Sequence, residues 1–180
     1  MIIKKLNAIF ALLASICVTE HAVFSTVSVY KGVYETMPVA VEGLLLGSLG
    51  MHFLLTLCVL LFCSEGASLT YLTGKNYLIV IQRISAVVIA VIVHVHILTN
   101  ILFRQGYGVS GGVVIARDLA DILFYASIAA HILISVPKAL VTLGLVKSEK
   151  RYMLISKIFM YLCIVVFLFT LSGVIYSIVS

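Results

Sequence analysis

Five long apolar runs, separated by short polar connections, dominate this sequence of 180 residues and leave few folds open to it. They cover about Leu6–Val29, Gly43–Phe62, Tyr77–Phe103, Leu119–Val146 and Met153–Ile178. Each has the roughly 20 or more residues that a helix needs to cross the hydrocarbon of a bilayer. Only 11% of residues are charged while 63% are hydrophobic, whereas a soluble domain carries about a quarter charged. The expected fold is all-α, an integral membrane bundle of five transmembrane helices forming one domain over residues 1–180. No loop is long enough to fold separately, so a site for a soluble substrate would belong to another polypeptide.

The connections carry turn residues: Met37-Pro38, Ser64-Glu65-Gly66, Gly74-Lys75-Asn76, Gly106-Tyr107-Gly108 and Ser110-Gly111-Gly112. Lys4 and Lys5 ahead of an apolar run look like the start of a signal peptide. The run continues past Cys17 to about Val29, which favours an uncleaved first span. With the N-terminus inside, cytoplasmic segments hold Lys4, Lys5, Lys75, Lys147, Lys150 and Arg151, and outer segments Lys31, Arg104 and Arg117. The basic residues therefore predict a cytoplasmic N-terminus and an outer C-terminus. The expected location is a bacterial-type cytoplasmic membrane, crossed several times. The net charge of +5 is spread over loops and argues topology, not nucleic-acid binding.

Cys17, Cys58, Cys63 and Cys163 lie within or beside apolar runs, without zinc or iron–sulfur spacing, and read as small hydrophobes. Pro137 falls inside the fourth run, where it should bend the helix.

All five histidines, His21, His52, His94, His96 and His131, fall inside apolar runs. Polar side chains at membrane depth are costly and tend to be functional. One histidine can simply hydrogen-bond a neighbouring helix, but four histidine-bearing helices supply two pairs, and a bis-histidine haem takes one ligand from each of two helices. The depths pair them. With the N-terminus inside, His21 and His96 lie roughly 15–19 residues from the inner surface and His52 and His131 roughly 10–15, at about 1.5 Å per residue. His21 and His96 are thus expected on an outer haem iron, and His52 and His131 on an inner one. Small residues precede three of these histidines: Gly43, Gly47 and Gly50; Ser85, Ala86 and Ala90; Ala126, Ser127, Ala129 and Ala130. Either flat haem walls or close helix packing would use them.

The chain resembles the single-subunit, dihaem cytochrome b membrane anchor of succinate dehydrogenases and fumarate reductases. Val80-Ile81-Gln82-Arg83-Ile84-Ser85-Ala86 is similar to that family's Leu-Gln-Arg-x-Ser-Gly, with the histidine fourteen residues beyond the glutamine, here His96, as haem ligand. Thr19-Glu20-His21, Gly50-Met51-His52 and Ala129-Ala130-His131 fall where the other ligands would, and the last span is ligand-free. Departures are Ala86 for the motif glycine, Ser135 for the glycine usual after the fourth ligand, and the nearby Pro137. Some fumarate reductases carry a glutamate two residues before that ligand; Ala129 stands here, so that proton route is not carried over.

The resemblance implies two haem b cofactors and a membrane quinone (menaquinone or ubiquinone) as substrate. It also implies a flavoprotein subunit and an iron–sulfur subunit as partners on the inner face, and leaves a homo-oligomer of complexes open. Glu20 is a candidate for quinone proton handling or a neutral acid bonded to another helix. Arg83 is a candidate partner of a quinone carbonyl or haem propionate, or else a snorkelling arginine. His94 is about 200° round the helix from His96 and cannot share its haem; helix packing or a quinone-side position is expected. Lys138 should snorkel inward, Asp118 and Asp121 should complement the dipole at the start of the fourth helix, and Tyr30 and Tyr34 should anchor at an interface. Two other functions compete: another dihaem cytochrome b, either a transmembrane reductase or another dehydrogenase's anchor, and a haem-free transporter or scaffold bundle.

Overall fold

The computed structural model describes residues 2–33, 37–62, 77–104 and 111–179. They form five α-helices in order: α1 (Ile2–Lys31), α2 (Val39–Phe62), α3 (Tyr77–Arg104), α4 (Gly111–Thr142) and α5 (Glu149–Val179). All five contain stretches long and apolar enough to cross a membrane. At 24 to 32 residues they reach roughly 36–48 Å, against about 30 Å of hydrocarbon.

Local chemistry sets several of the ends. α1 and α4 both finish in a left-handed glycine, Gly32 (φ 63°) and Gly144 (φ 79°). In each case the glycine N–H and the next N–H fold back on the last turn: Gly32 to Val29 and Val33 to Ser28, Gly144 to Val141 and Leu145 to Leu140. This double bond pattern satisfies carbonyls that would otherwise be orphaned, and only glycine reaches the required φ without strain. α5 is capped by Ser148, whose Oγ accepts from the Arg151 N–H at 3.3 Å. α2 starts from the Pro38 carbonyl, which accepts from Val41 and Glu42.

The fourth helix differs most from the sequence expectation. It begins at Gly111, eight residues before Leu119, and stops at Thr142 rather than Val146. Gly111-Gly112, read as turn residues, instead open the helix, and Gly144 ends it inside a run that remains apolar to Val146. Pro137 is fully buried, and α4 continues through it to Thr142. The Ser64-Glu65-Gly66, Gly74-Lys75-Asn76 and Gly106-Tyr107-Gly108 turns, with Tyr34 and Cys63, lie outside the described residues.

α1 and α4 form the centre. They pack on each other and on α5, while α2 leans on α1 and α3 on α4. Among the described residues, α2 has no other extensive helix contact. The interior is made of small and polar side chains: Ala8, Ala14, Cys17, Ala22, Thr26, Ser48, Ser85, Thr99, Ala120, Ser135 and Thr170 are all buried. Many leucines, isoleucines and valines are exposed along the helices, although Ile134, Val136 and Val174 are buried. That inversion suits a lipid surround, where packing of small residues rather than burial of large ones holds helices together. α1 and α5 cross closely at Gly173, where an added Cβ would lie 2.7 Å from Thr26 Cγ2. Thr26 Oγ1 is itself tied to the Ala22 carbonyl at 2.8 Å, which pins the methyl in place.

Candidate functional site

The histidines fall into two polar layers at different levels of the bundle. The first lies toward the end where α1 begins, here the near end. It joins His52 of α2 to His131 of α4, with ring centroids 6.5 Å apart and planes at 64°. These two helices otherwise barely touch. Each ring is held from behind by its other nitrogen. His52 Nδ1 lies 2.8 Å from Asn7 Oδ1, which also accepts from Thr56 at 3.3 Å. His131 Nδ1 lies 3.2 Å from the Gln82 carbonyl and from Ser85 Oγ. Ser85 gives its own proton to the same carbonyl at 3.0 Å.

Because Asn7 Oδ1 and the Gln82 carbonyl can only accept, both Nδ1 atoms must be the donors. The neutral rings then keep their lone pairs on Nε2. The Gln82 side chain extends the layer, donating to Ser135 Oγ at 2.9 Å and accepting from Lys138 Nζ at 3.1 Å.

The second layer, toward the far end, surrounds a cavity of about 460 Å³, within the range of small-ligand sites. His21 of α1 and His96 of α3 both line it, with Asn100, Arg117, Asp121 and Tyr125. His96 Nδ1 donates to Asp121 Oδ1 at 2.6 Å, and its ring stacks on Phe124 with centroids 5.0 Å apart. Asn100 donates to the His96 carbonyl at 2.8 Å. His21 Nδ1 faces the Met37 sulfur at 3.1 Å, a weak acceptor. Arg117 is buried against Asp118, with Nη2 and Nε 2.7 and 3.0 Å from the same carboxylate oxygen.

His52 and His131 thus stand ring to ring, while His21 and His96 line one cavity. His94 is not part of either layer: it is exposed on α3 and donates to the Ala90 carbonyl of its own helix at 2.7 Å. Asp118 and Asp121 do not sit at the helix start, because α4 begins earlier; one pairs with Arg117 and the other holds His96. Arg117 likewise leaves the loops for a buried helical position. Glu20 is exposed on α1 and faces a different, apolar crevice, and Arg83 is exposed near the start of α3. Gly43, Gly47 and Gly50 are exposed, about 140–200° round α2 from His52. Among the described residues nothing lies within 4 Å of a Cβ at any of them, so they form neither a wall for that histidine nor a packing seam with those residues. Tyr30 bonds Ser172 at 2.6 Å and its ring contacts Tyr176, tying α1 to α5. Cys17 is buried, and Cys58 and Cys163 are partly so; all three are free thiols.

Sequence reasoning missed Asn7, Asp121 and Met37 as partners of the ring nitrogens, and Ser85 and the Gln82 backbone as partners of His131. A signal existed for Asn7, a lone amide in the first apolar run. Among the described residues no group of three or more His, Cys, Asp or Glu side chains could hold a metal ion. The arrangement offers pairs of imidazoles instead. Comparisons with protein-family models, curated proteins and solved structures return no match for this chain.

Proposed function

We propose that this chain is a membrane-embedded dihaem cytochrome b, with one haem between His52 and His131 and the other between His21 and His96. The observation that carries the reading is the near-end pair. Two imidazoles from helices that otherwise barely touch stand 6.5 Å apart, centroid to centroid. Two metal–nitrogen bonds of about 2 Å and two ring half-widths come to roughly 6 Å. Both Nδ1 atoms are tied back to carbonyl oxygens, so the Nε2 lone pairs are the ones available to a metal. Support of this kind fixes the tautomer and orientation of metal-bound histidines. The donor set thus fits haem, which needs only two protein ligands per iron. At the far end His21 and His96 share one cavity, and Arg117 lines it as a guanidinium suited to a carboxylate such as a propionate.

Bound haem supplies one-electron redox chemistry at each level. The protein's part is to hold the rings, keep large apolar side chains toward lipid and carry charge at the ends. Arg117 is helical and buried, which leaves Lys31 as the basic residue at the far end of α1, against Lys4, Lys5, Lys147, Lys150 and Arg151 at the near end. The balance favours a cytoplasmic near end. On the resemblance noted above, that end would meet a flavoprotein and an iron–sulfur subunit, and electrons would pass between them and membrane quinone. The proposed assembly is a succinate dehydrogenase or fumarate reductase of a bacterial-type cytoplasmic membrane.

The test is a set of single alanine variants with haem spectra recorded for each. His52→Ala and His131→Ala should remove one and the same haem, and His21→Ala and His96→Ala the other. Loss of both haems in all four variants, or of neither in any, overturns the pairing. Co-purification with a subunit carrying covalent flavin supports the succinate/fumarate assignment, and purification with a different dehydrogenase overturns it.

A further inference from the structure

α5 carries no histidine, yet with α1 and α4 it encloses the larger cavity described here, an elongated crevice of about 680 Å³. Its walls are overwhelmingly apolar: Leu12 and Ile16 of α1, Ile128 and Ile132 of α4, Phe159 and Val166 of α5. Four oxygen-bearing side chains from α1 and α4 interrupt them. Two are already engaged, since Ser15 donates to the Ala11 carbonyl at 2.7 Å and Thr19 to the Ser15 carbonyl at 2.8 Å. The Glu20 carboxyl and the Tyr125 hydroxyl make no hydrogen bond among the described residues. A carboxyl at this depth in an apolar wall is expensive unless something polar meets it.

The crevice also adjoins the far-end histidine cavity. Tyr125 and Thr170 line both, so they form a shared partition between the apolar crevice and the space that holds His21 and His96. A ligand in the crevice would need an apolar tail, a compact head with oxygens able to accept from a phenol and exchange a proton with a carboxyl, and access from the lipid side. A phospholipid offers the tail but keeps its charged head at the surface. A membrane quinone offers all of these.

We propose that the α1–α4–α5 crevice binds the isoprenoid quinone. The ring oxygens meet Glu20 and Tyr125, and the tail runs along Leu12, Ile16, Phe159 and Val166. This inference rests on the dihaem reading and adds to it the location of the quinone. It gives the ligand-free fifth helix a role as the outer wall of the substrate site. It also makes Tyr125 the side chain shared between quinone and the far-end layer.

The experiment is photolabelling of the detergent-purified complex with an azido-naphthoquinone bearing one isoprenoid unit, with haem quantified in the same samples. Label should appear in peptides containing Glu20, Tyr125–Ile132 and Phe159–Phe167, and an excess of unlabelled naphthoquinone should compete while phospholipid does not. Val166→Trp fills the crevice from a helix without ligands and should cut labelling at least tenfold with haem content unchanged. Glu20→Gln keeps the shape of the wall and should weaken labelling several-fold. Label confined to other segments, labelling indifferent to both variants, or competition by phospholipid as effective as by quinone overturns the proposal. Absence of haem from the unsubstituted complex would instead overturn the dihaem reading, so the two failures are separable.

Discussion

If the chain holds two haems as proposed, replacing Asn7 with leucine should weaken one site and spare the other. Among the described residues Asn7 Oδ1 is the acceptor for His52 Nδ1, at 2.8 Å, and it also receives Thr56. Leucine is close in size, so the α1–α2 contact is kept while the acceptor is lost. A partly buried N–H left without a partner costs about 1–3 kcal/mol. At 1.4 kcal/mol per decade this is a loss of roughly 10–100-fold in affinity, the range that removal of such support to a metal ligand typically gives. The freed ring can also place its proton on Nε2, the nitrogen the iron needs. The assay is haem occupancy per chain after extended detergent washing, with the two haems resolved by stepwise reduction. The near-end haem should be depleted while the far-end haem stays at full occupancy. Asn7→Asp, which keeps an acceptor at the same place, should retain more near-end haem than Asn7→Leu. Full occupancy of both haems in Asn7→Leu, or depletion of the far-end haem instead, would refute the link between Asn7 and the His52 site.

Three further outcomes follow from the geometry. On the dihaem proposal His94→Ala should leave both haems bound, because the ring is exposed and bonds the Ala90 carbonyl of its own helix; a missing haem in its reduced spectrum would reassign the ligands. Gly173→Ala should lower the thermal unfolding temperature of the detergent-solubilised protein, since the new methyl meets Thr26 Cγ2 at 2.7 Å, and overpacking of this kind costs about 1–3 kcal/mol. By contrast, Gly43→Ala, Gly47→Ala and Gly50→Ala should be neutral or slightly stabilising in the same assay, by up to about 1 kcal/mol each from helix propensity. A large loss at any of them would mean that this face of α2 is occupied by a partner.

The five helices were legible because a lipid-crossing helix has to be a long apolar run, and nothing else in a chain of this composition produces one. That His52 should lie near His131 was legible for a related reason, since depth along a straight helix can be counted in residues. What could not be read was rotation. In a soluble helix the apolar stripe marks the inward face; here every helix also exposes large apolar residues, and most buried positions are small or polar. The stripe therefore does not say which side of α2 carries Gly43, Gly47 and Gly50 relative to His52. The partners of the ring nitrogens were hidden likewise, because Asn7 with His52 and Ser85 with His131 meet only once helix register is fixed. Asp121 and Arg117 were misplaced because Gly111-Gly112 looked like a turn, although glycines also open helices. The end of α4 was misjudged because Gly144 stops it inside a run that stays apolar to Val146.

The central claim is that two pairs of intramembrane histidines each hold a haem. A dithionite-reduced minus oxidised spectrum of the purified complex, with haem quantified per chain as the pyridine haemochrome, tests it most directly. The account predicts two b-type haems for each copy of this chain. A well-folded preparation with no haem would contradict it and return the paired imidazoles to helix packing or proton transfer.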